Sequence, residues 1–239
     1  MARSKYISLL IILFALLSAQ DFKSEVYNAY INNNMLAWKN TIQQMQTQKQ
    51  ITLELINYQY GYIAWCIGNR NYTEARKLLD EANKNLEIFF SKRKKTADYY
   101  SYKAAFIGFE IGLDKYKAPF LGPKSNENLK KAILSDPENY FAYAQKAHAD
   151  FYTPSIFGGS KTNAIEYYKK ALLLYEKNIR KQKDWNYLAL LTDIIRAYME
   201  IEKYNEAKIF ADKTLNIEPN YKWVRDELYP KIIKNLKNE

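Results

Sequence analysis

Along most of the chain, small and large apolar side chains recur at intervals of three and four residues, and strict alternation is hard to find. "NYTEARKLLDEAN" places Ala75, Leu79 and Ala82 in this way, "NAIEYYKKALLLYE" places Ala164, Tyr168 and Ala171, and "YNEAKIFADKTLNIEP" places Ala207, Ala211 and Thr214 before Pro219. A period near 3.6 gathers such positions on one face of a helix. "SDPENYFAYAQKAHAD" closes one stretch at Pro137 and opens the next with Tyr143 and Ala147. Residues 21–50 read as one leading helix, with Val26, Tyr30, Ala37 and Met45 among its apolar positions. After Pro219, "YKWVRDELYPKIIKNLKNE" reads as a closing helix, kinked or restarted at Pro230, whose ring cannot sit in an unbroken helix.

The spacing of small residue, aromatic or aliphatic residue and second small residue resembles the tetratricopeptide repeat, a helix–turn–helix unit of roughly 34 residues. Small residues are needed where two helix backbones approach closely. Unit one carries Ala75, Leu79 and Ala82, with Ile63 where the family has a small residue; unit two carries Gly108, Ser125, Leu129, Ala132 and Pro137. Unit three carries Tyr143, Ala147, Ala164, Tyr168 and Ala171; unit four carries Leu191, Tyr198, Ala207, Ala211, Thr214 and Pro219. The resemblance covers residues 55–220 and implies an all-α superhelical solenoid of about four degenerate repeats, at about 55–91, 97–137, 138–176 and 185–219, capped by a helix over 220–237.

Units two and three depart from the family by insertions between their helices, "KYKAPFLGPKS" and "YTPSIFGGSK", both read as loops. In the second, Pro154 stops a helix, Gly158 and Gly159 admit positive φ, and Ser160 or Thr162 caps the helix that follows. Ile156 and Phe157 are expected to tuck back onto the solenoid edge, beside a similar ridge of Pro119, Phe120, Leu121 and Gly122. "GGSKT" is no phosphate loop: it lacks the first glycine at the required distance and no strand precedes it. The longer spacings after units one and three read as second helices prolonged through "NLEIFFSKRKK" and "LLLYEKNIRKQK", with Thr96 and Asp184 as the next N-caps.

Arg3 and Lys5 ahead of "LLIILFALL" and the small residue Ala19 form a secretory signal peptide over residues 1–19, cleaved near Ala19–Gln20. No cysteine follows the apolar run, so no lipoprotein anchor is expected, and residues 20–239 read as a single domain of the periplasm or the exterior, with no transmembrane segment in the mature form. Hydrophobic residues make up 48% of the 239 and include 22 tyrosines, enough for a sizeable core, while only 7 glycines and 6 prolines interrupt it. The net charge of +10 includes Arg3 and Lys5; an exported chain rich in Lys, Asn and Ile does not require a nucleic-acid partner to explain it. Cys66 is the only cysteine, so no internal disulfide forms, and it reads as a small buried hydrophobe.

Register on the repeats places Tyr102, Phe106 and Phe109 on the concave face of unit two, His148 on that of unit three, and Asp193 with Arg196 on that of unit four. Ala104, Gly108 and Gly112 read as a close helix contact. The Lys and Asn that clamp a C-terminal carboxylate in some family members are missing: the matching positions hold Tyr60, Ala105, Ala144 and Thr192, and Ala64, Phe109, His148 and Arg196. No catalytic grouping, metal site or cofactor is expected. The resemblance implies a non-enzymatic interaction scaffold that holds a peptide or protein of the cell envelope in its groove, with Ile156 and Phe157 as a further loop contact. The alternative is a small-ligand-binding accessory protein of a transport system, for which a closed cavity rather than an open channel would speak.

Overall fold

The computed structural model describes residues 21–48, 50–178 and 183–237; the signal peptide expected over 1–19 lies outside them. Eleven α-helices and no strand occur among the described residues. They are α1 (Phe22–Ile31), α2 (Met35–Thr47), α3 (Leu53–Gly68), α4 (Tyr72–Phe90), α5 (Ala97–Leu113), α6 (Ala118–Ser135), α7 (Tyr140–Tyr152), α8 (Lys161–Asn178), α9 (Trp185–Glu200), α10 (Tyr204–Ile217) and α11 (Tyr229–Leu236). Consecutive helices pack in pairs, α1 with α2, α3 with α4, α5 with α6, α7 with α8, and α9 with α10.

The alanine pattern is what brings the pairs together. Ala75, Ala82, Ala132, Ala147, Ala164, Ala171, Ala207 and Ala211 are all fully buried. Three of the five connections within pairs share one tight turn, with Asn33, Arg70 and Glu202 at positive φ (54°, 61° and 58°). In each, the next amide bonds back five residues: Asn34 N to Ala29 O, Asn71 N to Cys66 O, and Lys203 N to Tyr198 O. This is the Schellman closure of a helix end. The single leading helix read over 21–50 is therefore two helices. Asn33 accepts the left-handed conformation, and the Asn34 side chain caps α2 by accepting from Ala37 N at 3.1 Å.

The α5–α6 and α7–α8 connections close differently. The first is less of a loop than expected: after a 3₁₀ turn (Lys115–Lys117), α6 already begins at Ala118, with Pro119 in its first turn where no amide is needed. The second runs through a 3₁₀ turn (Ser155–Phe157) to Gly158 at φ 87°. A side chain on Gly159 would collide with the Thr153 carbonyl, and Ser160 Oγ caps α8 by accepting from Asn163 N at 3.2 Å. At the C-terminus, a π-helical stretch (Trp223–Leu228) leads into α11 just ahead of Pro230. Asp184 caps α9 through Asn186 N, whereas Thr96 stands at the cap position of α5 without a side-chain bond. Helix α4 ends at Phe90, short of the lysine run that was read into it.

The two ends of the array meet. Helix α1 packs on α9 as well as on α2. Its residues serve two cores at once: Val26 and Ala29 join the cluster of α2 to α5, and Tyr27 and Ile31 join the cluster of α7 to α11. Trp185, at the start of α9, completes the first cluster, lying 4.9 Å from Trp38 ring to ring. Gly61 on α3 makes room for both: a methyl there would stand 2.6 Å from the Trp185 ring and 2.7 Å from that of Trp38.

Candidate ligand-binding site

The leading helices of four pairs converge on one side chain, Tyr60 of α3. Its ring stacks on Phe109 of α5 at 5.3 Å, meets Phe141 of α7 edge-on at 5.3 Å and lies 6.4 Å from Trp185 of α9. Burial drives its phenol pKa far above the ordinary range, although the hydrogen bond from Gln145 pulls the other way. The face that register assigns to a groove is thus filled at this level by the protein's own aromatic rings.

A polar chain leads outward from Tyr60. Gln145 Nε2 donates to the Tyr60 hydroxyl at 2.9 Å, and that hydroxyl lies 3.4 Å from His148 Nδ1. His148 Nε2 is 2.9 Å from Asp193 Oδ2. The carboxylate only accepts, so the His148 contact with Asp193 requires a proton on Nε2, while Nδ1 lies 3.4 Å from both the Tyr60 hydroxyl and Gln145 Oε1. Asp193 Oδ1 lies 3.6 Å from Arg196 Nη1, which also donates to the Tyr152 hydroxyl at 3.3 Å. Tyr152 is 62% exposed, so the chain ends at the surface.

That outer end is a cationic and aromatic rim. The Arg196 guanidinium lies 5.8 Å from the Phe151 ring and 5.8 Å from the Trp223 ring. Lys161 Nζ sits 3.6 Å from the Phe151 centroid and donates to the Phe151 carbonyl. Two cations therefore flank one ring. Burial, with help from Arg196, lowers the Lys161 pKa. Burial acts against the Arg196 charge too, but the Tyr152 hydroxyl and the Asp193 carboxylate outweigh it and hold its pKa up. Two cations beside an exposed phenol can take a group that carries negative charge. Within the network, Tyr60 is buried and hard to ionise, so its hydroxyl stays a hydrogen-bonding group.

His148, Asp193 and Arg196, read separately from the sequence, come together here. Phe109 is half-buried against Tyr60, beneath the network. Tyr102 and Phe106 do not line an opening: they are 5% and 0% exposed, packed in the core because Phe141 covers Tyr102 at 4.6 Å. Ile156 and Phe157 do not tuck back. They are 84% and 78% exposed, and the turn closes through backbone bonds instead, Gly159 N to Pro154 O and Ser160 N to Asp150 O. Of the small-residue stripe, Ala104 is in close contact, its carbonyl accepting from Ser125 Oγ, while Gly108 faces open space. Sequence reasoning did not pick out Tyr60, Gln145, Tyr152, Lys161 or Trp223. The four-residue step from His148 to Tyr152 was a usable signal for one of them. A shallow depression on α10, lined by Ile209, Asp212, Lys213, Asn216 and Ile217, shares no residue with the network.

No protein-family model matches the chain, and no curated protein does. Among solved structures it is similar to the HusA haemophore from Porphyromonas gingivalis, with a TM-score of 0.57 and 17% identity over 74% of this chain and 94% of that one. At that identity the likeness is one of fold.

Proposed function

We propose that this is an exported, non-enzymatic ligand-binding protein built as a closed solenoid of tetratricopeptide-like pairs. The ligand class is a flat, apolar molecule bearing carboxylates, of the tetrapyrrole kind that a haemophore carries, held at the rim of Arg196, Lys161, Tyr152 and Trp223. The observation that carries this reading is the pair of cations flanking Phe151 next to the exposed Tyr152 phenol. Arg196 and Lys161 would take the carboxylates, Trp223 and Tyr152 the flat face, and Asp193, fixed by His148, would hold the guanidinium in place. The fold shared with a haemophore over nearly the whole of that chain supports the same class. No helix among the described residues is long and apolar enough to cross a membrane.

The second reading, a scaffold with a peptide in its groove, keeps less support because Tyr60, Phe141 and Trp185 occupy that face. The test is a titration with haemin and with metal-free protoporphyrin, followed by absorbance and by tryptophan quenching. Arg196→Ala combined with Lys161→Ala should weaken both ligands by about tenfold or more, as expected for two charge-assisted contacts. Wild-type protein that binds neither tetrapyrrole, or a double variant that binds both unchanged, would overturn the assignment.

A further inference from the structure

The two connections that depart from the shared Schellman turn also carry the molecule's most conspicuous exposed apolar side chains. Tyr116 is 93% exposed, Ile156 84%, Phe157 78% and Phe120 76%; among the described residues only Leu134 intrudes on this group at the top of the exposure order. Both connections join the leading to the trailing helix of a pair, and the leading helices α5 and α7 pack side by side, so the two segments emerge at the same end of the array. They also share a sequence, Phe-x-Gly-x-Lys, at Phe120–Lys124 and at Phe157–Lys161.

The display is held, not loose. Asp114 Oδ1 accepts from Tyr116 N at 3.2 Å, Pro119 starts α6, and the second segment is closed by Phe157 N to Pro154 O and Ser160 N to Asp150 O. Four large apolar groups kept in water by a built backbone mark a surface that meets something. Charge says what. Lys115, Lys117 and Lys124 alternate with Tyr116 and Phe120. The acids beside them are Asp114 and Glu110, whose carboxylate lies 3.9 Å from Lys117 Nζ at the surface, and the segment from Thr153 to Lys161 contains none. Rings interleaved with lysines match a headgroup layer, where aromatic groups sit at the interface and ammonium groups meet phosphates.

We propose that this edge docks the protein peripherally on an anionic lipid surface, with Tyr116, Phe120, Ile156 and Phe157 entering the headgroup region and Lys115, Lys117 and Lys124 pairing with lipid phosphates. The inference does not depend on the ligand reading. The test is co-sedimentation of the protein with vesicles of phosphatidylcholine alone and of phosphatidylcholine with phosphatidylglycerol, at low and at high salt. Wild type should partition onto the anionic vesicles at low salt and be released by high salt. A variant with Tyr116, Phe120, Ile156 and Phe157 all changed to Ser, and another with Lys115, Lys117 and Lys124 changed to Gln, should each bind about tenfold less. Both alter exposed side chains only, so circular dichroism should match the wild type. Equal binding to the two vesicle types, or an unchanged serine variant, would overturn the proposal. So would wild type that ignores vesicles but captures an envelope protein through the same residues, which would make the edge a protein contact instead.

Discussion

The Tyr27 hydroxyl donates a 2.8 Å hydrogen bond to Glu218 Oε2, joining residues 191 positions apart. Burial raises the Tyr27 pKa and the carboxylate beside it raises it further, so the phenol stays a donor through the physiological range. Glu218 is 7% exposed and its other oxygen accepts from Asn220 N at 3.2 Å. Tyr27→Phe leaves one buried carboxylate oxygen without its donor, which should cost about 1–3 kcal/mol in chemical denaturation. An unchanged midpoint would show that the ends are held by packing alone.

Gly61→Ala should destabilise by about 1–3 kcal/mol, because the Trp38 and Trp185 rings must both move to admit a methyl. Combining it with Trp185→Phe, which opens space at that contact, should recover part of the loss. Additive losses in the double variant would mean the two sites do not share this contact.

Alkali should unfold the protein cooperatively. Burial lifts the Cys66 thiol to about 11 and the Tyr62 phenol to about 12, and raises Tyr58, Tyr60, Tyr102, Tyr140, Tyr168 and Tyr221 as well. A folded pKa above the unfolded one contributes stability that is complete below the unfolded value and lost as pH climbs through the folded value. The window therefore opens near 9.0 for the Cys66 thiol and near the ordinary tyrosine pKa of roughly 10 for the phenols. Ultraviolet titration of the phenolates should show an early phase from exposed rings and a later one coincident with loss of helical circular dichroism. A single early phase in the folded protein would contradict the buried cluster.

His148 is the only histidine, so its imidazole gives a single nitrogen spin system. Long-range proton–nitrogen spectra of the neutral ring should place the proton on Nε2, toward Asp193, and Asp193→Ala should weaken that preference. A proton on Nδ1 in the wild type would break the relay drawn from Tyr60 to Arg196.

Helix pairing was legible from the alanines because a backbone crossing tolerates little that is larger: Ala75, Ala82, Ala132, Ala147, Ala164, Ala171, Ala207 and Ala211 are all buried, although Gly108, read into the same pattern, is exposed. His148 was read apart from Asp193 and Arg196, and the three meet because consecutive leading helices present equivalent faces to each other. The helix pair α1–α2 escaped notice since its turn is a short run of asparagines, with Asn33 at φ 54° and Asn34 as the cap of α2, and carries neither glycine nor proline. Tyr102 and Phe106, read onto a groove face, are packed in the core, because periodicity carries no information on how tightly successive pairs wind. That winding depends on Trp185 reaching Gly61, a contact no local pattern records.

A row of repeated pairs that stays open can gain or lose a member during evolution and still fold. Here α1 must bridge both cores and Tyr27 must find Glu218, so the number of pairs is fixed by geometry, as in a hoop of barrel staves. Duplicating or deleting one pair would leave the ends out of reach. The connections are free of that constraint, and those that follow α5 and α7 are the longest within the pairs.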